Sequence, residues 1–278
     1  MLRVEDLDTA RSRPGLTEAL LADQAWLGLE FDGPPVFQSR RLDLYRAAFE
    51  RLRAAGRVYP CFCTRSEIAR AVSAPHGPAD EGPRYPGTCL ALSSEQVEAR
   101  ARTRPPAWRF RPREGLTEVH DLLHGRIVQD VAREVGDFVV LRNDGVPSYQ
   151  LAVVVDDADM GITHVLRGDD LLGSTSRQIQ LCEALGLSVP VYAHVPLLLG
   201  PDGKRLAKRA GTPSLAELRE RGIAPERLVG LLGAWAGLGD GRPVDLRALV
   251  PRFVLGRLPR EPIAVDPSRV NETLFGPG

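Results

Sequence analysis

Between Asp137 and Leu199 the chain alternates short β-rich runs with segments of helical period, and this alternation restricts the fold more than any other feature. Asp137 to Arg142 reads as a strand, and the turn Asn143-Asp144-Gly145 joins it to Tyr149 and the strongly apolar run Leu151 to Val155. A strand at Thr163 to Arg167, a helix from Ser174 to Leu185 and a strand at Tyr192 to Leu199 follow. Strands alternating with helices imply an α/β fold around a parallel sheet.

Upstream, Leu2 to Asp8 reads as the end of a strand running into an acidic loop. Helices are expected from Leu16 to Leu27 and from Arg41 to Ala55. The second places Leu42, Tyr45, Phe49 and Leu52 on one face and stops at Gly56, a suitable C-cap. Val58 to Cys63 is a short strand or turn, followed by a helix at Arg65 to Val72, a Pro/Gly-rich loop over 73–88 and a helix from Ser93 to Thr103. Strands are expected at Trp108 to Arg111 and Arg126 to Val131, and the tail from Ser214 reads as helices over 214–221, 224–236 and 243–249.

A chain of 278 residues, 43% hydrophobic and 26% charged, can bury a real core and is not disordered. No apolar run approaches the roughly 20 residues that span a bilayer, and Met1 to Asp6 does not start a signal peptide. The reading is a cytoplasmic protein, monomeric and without a membrane partner. A formal net charge of zero neither announces nor excludes nucleic-acid binding, which needs only a local basic face.

Cys61-x-Cys63, then Tyr85 and Cys89, put three sulfurs and a phenol where a loop could close on one ion. Zinc accepts thiolates readily, and a closed tetrahedral site would pin a segment with few apolar residues. His76, in the same loop, competes with Tyr85 as fourth ligand, and buried free thiols are the alternative. Glu5, Asp6 and Asp8 lie where a strand ends, and ligands of open parallel sheets bind outside the carboxyl ends of strands. Arg167 ends another strand, where its guanidinium could hold a carboxylate in a two-bond fork, and Tyr149 opens the apolar run before it. Together these residues suit a zwitterion with a second carboxylate, which describes glutamate.

Both lysines of the chain, Lys204 and Lys208, fall in one stretch, and every other cationic side chain outside histidine is arginine. An ammonium is a compact, mobile point charge suited to a phosphate whose charge changes during reaction. A mobile basic loop acts by stabilising charge that develops on a transferring phosphorus. A solvated turn with two leftover lysines is the plainer reading of the same residues.

Taken in order, Arg3-Val4-Glu5-Asp6-Leu7-Asp8 with Arg11 and Pro14-Gly15, the C-x-C…Y-x-x-x-C set, Tyr149 with Leu151 to Asp157, Arg167-Gly168-x-Asp170 and Arg205-Leu206-Ala207-Lys208-Arg209 resemble the glutamyl-Q tRNA(Asp) synthetases. These are relatives of the catalytic half of glutamyl-tRNA synthetase. The resemblance runs from Arg3 to the tail around Val270-Asn271-x-Thr273-x-Phe275. It implies a class I synthetase Rossmann-type parallel sheet with a zinc-bearing insertion and a short helical C-terminal region. The implied division is 1–57 and 116–212 for the catalytic domain, 58–115 for the insertion and 213–278 for the tail.

The implied reaction joins L-glutamate and ATP, with Mg2+, into glutamyl-adenylate and passes the glutamyl group to queuosine in the anticodon of tRNA(Asp). Carried over by position, Glu5, Tyr149 and Arg167 contact glutamate, while Cys61, Cys63, Tyr85 and Cys89 hold one structural zinc. Arg205, Leu206, Ala207, Lys208 and Arg209 form the KMSKS-like loop at ATP, with Lys208 on the phosphates. Ala207 replaces its middle serine, and Arg205 stands at its first position, one residue after Lys204. The HIGH-type motif of class I synthetases is absent, and His76, His120, His124, His164 and His194 all lie elsewhere. The resemblance implies a further segment upstream of Met1 of roughly 35 to 45 residues, a strand-crossover-strand unit less its final strand. A misplaced start codon is the preferred explanation, and a truly shortened, impaired chain is the other. Two further readings are a glutamyl-tRNA synthetase lacking its anticodon-binding domain and a paralogue that binds zinc and tRNA without adenylate chemistry.

Overall fold

The computed structural model describes residues 1–8, 12, 15–71, 84–206 and 212–276. In chain order its first elements are β1 (Arg3–Val4), α1 (Leu16–Trp26), β2 (Val36–Phe37), α2 (Leu42–Ala54), β3 (Val58–Cys61), α3 (Arg65–Ala71), α4 (Ser94–Ala101) and β4 (Ala107–Phe110). Then come β5 (Thr117–Asp121), β6 (Gly125–Gln129), α5 (Val131–Glu134), β7 (Phe138–Leu141), α6 (Tyr149–Asp159), β8 (His164–Gly168), α7 (Leu172–Leu185), β9 (Val191–Val195) and β10 (Leu198–Leu199). The last are α8 (Leu215–Glu220), α9 (Pro225–Trp235), α10 (Leu246–Leu249), β11 (Ile263–Ala264) and α11 (Pro267–Phe275). No helix among the described residues is long and apolar enough to cross a membrane.

The parallel pairings are β1 with β2, β5 with β9, β8 with β9, and β10 with β11. β9 is the hub of the largest sheet, ordered β6-β5-β9-β8, in which β5 and β6 form an antiparallel hairpin. A second sheet, β3-β4-β7, is antiparallel throughout. It joins the stretch that carries Cys61 to the later strand β7, so this sheet crosses residue 115.

The apolar run Leu151 to Val155 is a helix, although a Val-Val-Val sequence favours strands. Ser148 starts it, its side chain accepting the Leu151 N–H, and burial of Leu151 through Asp156 explains the lack of a polar face. α6 is thus the central helix, packed against α2, α7 and β7 in one core containing Tyr45, Phe49, Leu52, Phe110, Val140 and Leu181. The amphipathic face expected on α2 is the one buried, and Gly56 follows the helix at φ 65°, a conformation that suits glycine. The strand expected over 192–199 breaks at Val195, leaving β10 to pair with β11, a strand that the helical reading of the tail did not contain. α8, α9 and α11 close over a separate core with Trp26 and Leu27, and the ion pair Arg219–Asp23 (2.8 Å) ties α8 to α1.

Asp156 of α6 has no exposed side-chain surface, and four side chains from the N-terminal part converge on it. It accepts hydrogen bonds from Gln38 Nε2 (2.8 Å), Arg41 Nε (2.8 Å) and the Tyr45 hydroxyl (2.9 Å to Oδ2), and Arg3 Nε lies 3.8 Å away. Arg3 also pairs with Asp157 at 2.7 Å and Arg41 with Asp159 at 2.6 Å. This network pins β1 and α2 onto the central helix, and so fixes where Glu5 stands.

Candidate active site

β1 and β8 deliver Glu5 and Arg167 at their carboxyl ends, and Tyr149 is the first residue of α6. Arg167 hydrogen-bonds the Tyr149 hydroxyl, and the Glu5 charge acts on the same phenol. The Tyr149 hydroxyl is pushed up in pKa by burial, drawn back by the Arg167 charge and hydrogen bond, and pushed up again by the nearby Glu5 and Asp157 charges. Glu5 is exposed and pairs with Arg3 at 3.3 Å. Asp6 is structural, because its carboxylate accepts the Ser39 backbone N–H (2.8 Å) and hydroxyl (2.6 Å) and so closes the turn before α2.

Arg167 is held from behind. Its Nε donates to His194 Nε2 at 3.0 Å, and its Nη2 donates to Thr175 Oγ1 at 2.9 Å and to the Leu171 carbonyl at 3.4 Å. The guanidinium carbon lies 5.3 Å from the centre of the Tyr192 ring, within cation–π range. After β8, Asp170 accepts from Arg205 Nη1 at 2.7 Å. A Cβ at Gly168 would stand 2.6 Å from Asp170 Oδ1, so glycine leaves the space that this carboxylate occupies. Arg205 and Leu199 form an antiparallel bridge, and Gly200 N–H donates to the Lys204 carbonyl at 2.8 Å. The stretch from Gly200 to Gly203 is therefore a hydrogen-bonded turn here, with Gly203 at φ 70°, rather than a freely jointed approach to the loop. Leu206 donates to Leu198 at 2.7 Å and packs on the C-terminal core. Ala207, Lys208 and Arg209 lie outside the described residues, as do His76, Arg11 and Pro14.

The sulfurs of Cys61, Cys63 and Cys89 lie within 4.8 Å of one another and could hold a metal ion. Cys63 Sγ stands 3.5 Å from both Cys89 Sγ and the Tyr85 hydroxyl oxygen. That oxygen accepts the Cys89 backbone N–H at 2.8 Å, which aims it at the cluster. Two N–H groups already point at sulfur: Arg109 Nε at Cys61 Sγ (3.3 Å) and the Phe62 backbone N–H at Cys89 Sγ (3.4 Å). Burial raises the Cys89 thiol, but hydrogen bonds from Tyr85, Phe62 and the neighbouring thiols outweigh it and leave the pKa below its ordinary value. Cys63 is pushed up to about 11, chiefly by burial. Arg109 covers the Tyr85 ring at 3.9 Å, placing a cation beside this electron-rich set.

A family model described as the catalytic domain of class I tRNA synthetases for E and Q matches residues 1–236. The chain belongs to this family. It is thus a class I synthetase catalytic domain, a ligase by kind. It is 52% identical over 277 residues to a protein named glutamyl-Q tRNA(Asp) synthetase from Symbiobacterium thermophilum, covering 95% of this chain and 85% of that one. A protein of the same name from Nocardia farcinica is 51% identical over 263 residues, covering 94% and 81%. A crystal structure titled a glutamate tRNA ligase from Elizabethkingia meningosepticum, in complex with its amino acid, superposes with TM-score 0.80 at 27% identity. That comparison covers 98% of this synthetase chain and 61% of the ligase.

The groups behind Arg167 leave little signal in the sequence. β5 was not expected because two of its three inward residues, Thr117 and Asp121, are polar, so the usual alternation of apolar and polar residues is missing. His194 carried one signal, a titratable ring in the otherwise apolar strand Val191–Val195.

Proposed function

We propose that this chain activates L-glutamate with ATP and Mg2+ to glutamyl-adenylate and transfers the glutamyl group to queuosine in the anticodon of tRNA(Asp). The observation that carries the reading is the hydrogen bond of Arg167, at the end of β8, with Tyr149, at the start of α6, and the charge of Glu5, after β1, acting on the same phenol. A guanidinium beside a phenol suits the side-chain carboxylate of glutamate, and Glu5 suits its ammonium group. The names of the two curated relatives support the acceptor, tRNA(Asp) carrying queuosine. In the activation step a carboxylate oxygen of glutamate attacks the α-phosphorus of ATP and pyrophosphate leaves. Arg205, Leu206, Ala207, Lys208 and Arg209 contact ATP on this reading, with Lys208 meeting the phosphate charge.

Zinc is the metal that fits the sulfur cluster. Bonds of about 2.3 Å at tetrahedral angles set sulfurs roughly 3.8 Å apart, close to the 3.5 Å between Cys63 and Cys89. Cys61, Cys63, Cys89 and the Tyr85 oxygen would hold it, and when bound it would cross-link the segment between β3 and α4. Residues 58–115 form the zinc-bearing insertion on this reading, 1–57 and 116–212 the catalytic domain and 213–278 the C-terminal region. The protein works as a monomer in the cytoplasm.

Pyrophosphate exchange into ATP tests the activation step. Exchange should require glutamate, and Arg167→Leu should raise the glutamate KM by at least roughly 30-fold, the equivalent of about 2 kcal/mol for a truncated charge pair. Lys208→Ala should abolish exchange and leave the circular dichroism spectrum unchanged. Glutamate-independent exchange, or a normal KM in Arg167→Leu, would overturn the assignment.

A further inference from the structure

Behind Arg167 lies a buried relay that the proposed reaction does not touch. His194 and Asp121 have no exposed side-chain surface. Asp121, the last residue of β5, accepts backbone N–H groups of Leu123 (2.9 Å), His124 (2.9 Å) and His194 (3.3 Å) on Oδ1. Its Oδ2 faces His194 Nδ1 at 2.7 Å. His194 Nε2 faces Arg167 Nε at 3.0 Å.

Chemistry fixes the direction of this chain. An arginine Nε always carries a hydrogen, so His194 Nε2 must accept with its lone pair. The imidazole proton then sits on Nδ1 and is donated to Asp121. The Thr175 hydroxyl, 3.3 Å from Nε2, accepts from Arg167 Nη2 and can turn its own hydrogen toward the imidazole. Burial keeps His194 below its ordinary pKa against the pull of Asp121, and the Arg167 charge works in the same direction. The close contact of His194 with Asp121 is therefore a hydrogen bond of a neutral imidazole, not an ion pair.

This arrangement has a consequence for Arg167. A carboxylate placed directly on the guanidinium would orient it but cancel the charge that a substrate carboxylate needs. A neutral imidazole orients it without cancelling it, and the Asp121 charge is spent one residue away on three backbone donors and the Nδ1 proton. With Nε on His194 and both Nη2 hydrogens on Thr175 and the Leu171 carbonyl, the Nη1 side of the guanidinium is the side that meets Tyr149 and a ligand.

We propose that His194 and Asp121 are positioning residues that aim the Arg167 guanidinium and thereby set the preference for a carboxylate over an amide in the bound amino acid. The proposal rests on the reading of Arg167 as a contact of glutamate. Asp121→Asn is the direct test. Its Oδ1 keeps the backbone donors, so its amide NH2 faces Nδ1 and forces the imidazole proton to Nε2, where it opposes the Arg167 Nε–H.

Long-range nitrogen–proton NMR of the histidine-labelled full chain reads the tautomer, and calorimetry reads the dissociation constants of glutamate and glutamine. The expected results are an Nδ1–H tautomer in the wild type, an Nε2–H tautomer in Asp121→Asn, and glutamate binding weakened at least roughly tenfold there, with the preference over glutamine reduced. His194→Gln, whose Oε1 can accept from Arg167, should bind glutamate within roughly threefold of wild type, whereas His194→Leu should not. A protonated or Nε2–H histidine in the wild type would overturn the proposal, and that readout needs no variant to fold. So would an unchanged glutamate affinity in both Asp121→Asn and His194→Leu while Arg167→Leu loses it. If Arg167→Leu itself binds glutamate normally, the contact reading fails instead, and the tautomer still reports on the relay.

Discussion

Asp156→Ala should be among the most destabilising single substitutions in this protein, and its cost follows from the groups it strands. The carboxylate is fully buried and receives bonds from Gln38, Arg41 and Tyr45, with Arg3 Nε at 3.8 Å. Removing one partner of a buried charge network costs about 3–5 kcal/mol. Arg3 and Arg41 retain Asp157 and Asp159, which brings the expectation to the lower part of that range, about 3–4 kcal/mol. Tyr45→Phe removes one bond to the carboxylate and should cost about 1.5 kcal/mol. Asp156→Asn keeps the volume and one acceptor but turns an NH2 group toward donors, and should fall between the two. For chains of this size each kcal/mol moves the melting temperature by roughly 2–4 °C, so Asp156→Ala should melt roughly 6–16 °C lower. Urea denaturation followed by circular dichroism and tryptophan fluorescence gives the ranking. An Asp156→Ala loss under about 1 kcal/mol, or a larger loss for Tyr45→Phe, would refute the reasoning that this carboxylate anchors β1 and α2.

Wild-type protein should carry one zinc per chain by elemental analysis, and the double variant Cys61→Ser, Cys63→Ser should lose it; stoichiometric zinc in that variant would count against the site. Stability should fall with pH below about 6.5, because a buried histidine whose pKa is depressed on folding contributes stability that is complete above its unfolded value and is lost as pH falls through the folded one. The slope from His194 cannot exceed about 1.4 kcal/mol per pH unit, and His194→Gln should flatten the urea midpoint against pH in this window. Gly230→Ala drives a Cβ into the Arg242 carbonyl group, so it should destabilise α9 by about 1–3 kcal/mol despite better helix propensity. Gly173→Ala, with nothing within 4 Å, should instead gain up to about 1 kcal/mol, and equal thermal shifts for the two would contradict the contact argument.

The amphipathic helix α2 was legible because its period and its glycine stop agree, and the cysteine set was legible because the chemistry of three near thiols is local. Leu151 to Val155 could not be typed, since an all-apolar run has the same appearance in a buried strand and a buried helix. The Ser148 cap and the surrounding layers decide it. β5 is hidden for the opposite reason: Thr117 bonds Gln180 of α7 (2.8 Å) and Asp121 bonds His194 of β9, so polar pairs do on its buried face what apolar alternation usually signals. The grouping of Glu5, Tyr149 and Arg167 depended on pairing between distant segments, which single positions do not encode. The anchor of β1, Arg3 on Asp157, joins residues 154 positions apart.

The acceptor is tested most directly by charging radiolabelled glutamate onto two preparations of tRNA(Asp), one containing queuosine and one lacking it. The account predicts glutamylation of the queuosine-containing tRNA alone, with the label lost when the modified base is removed. Equal charging of both preparations, or charging of tRNA(Glu) in their place, would contradict it.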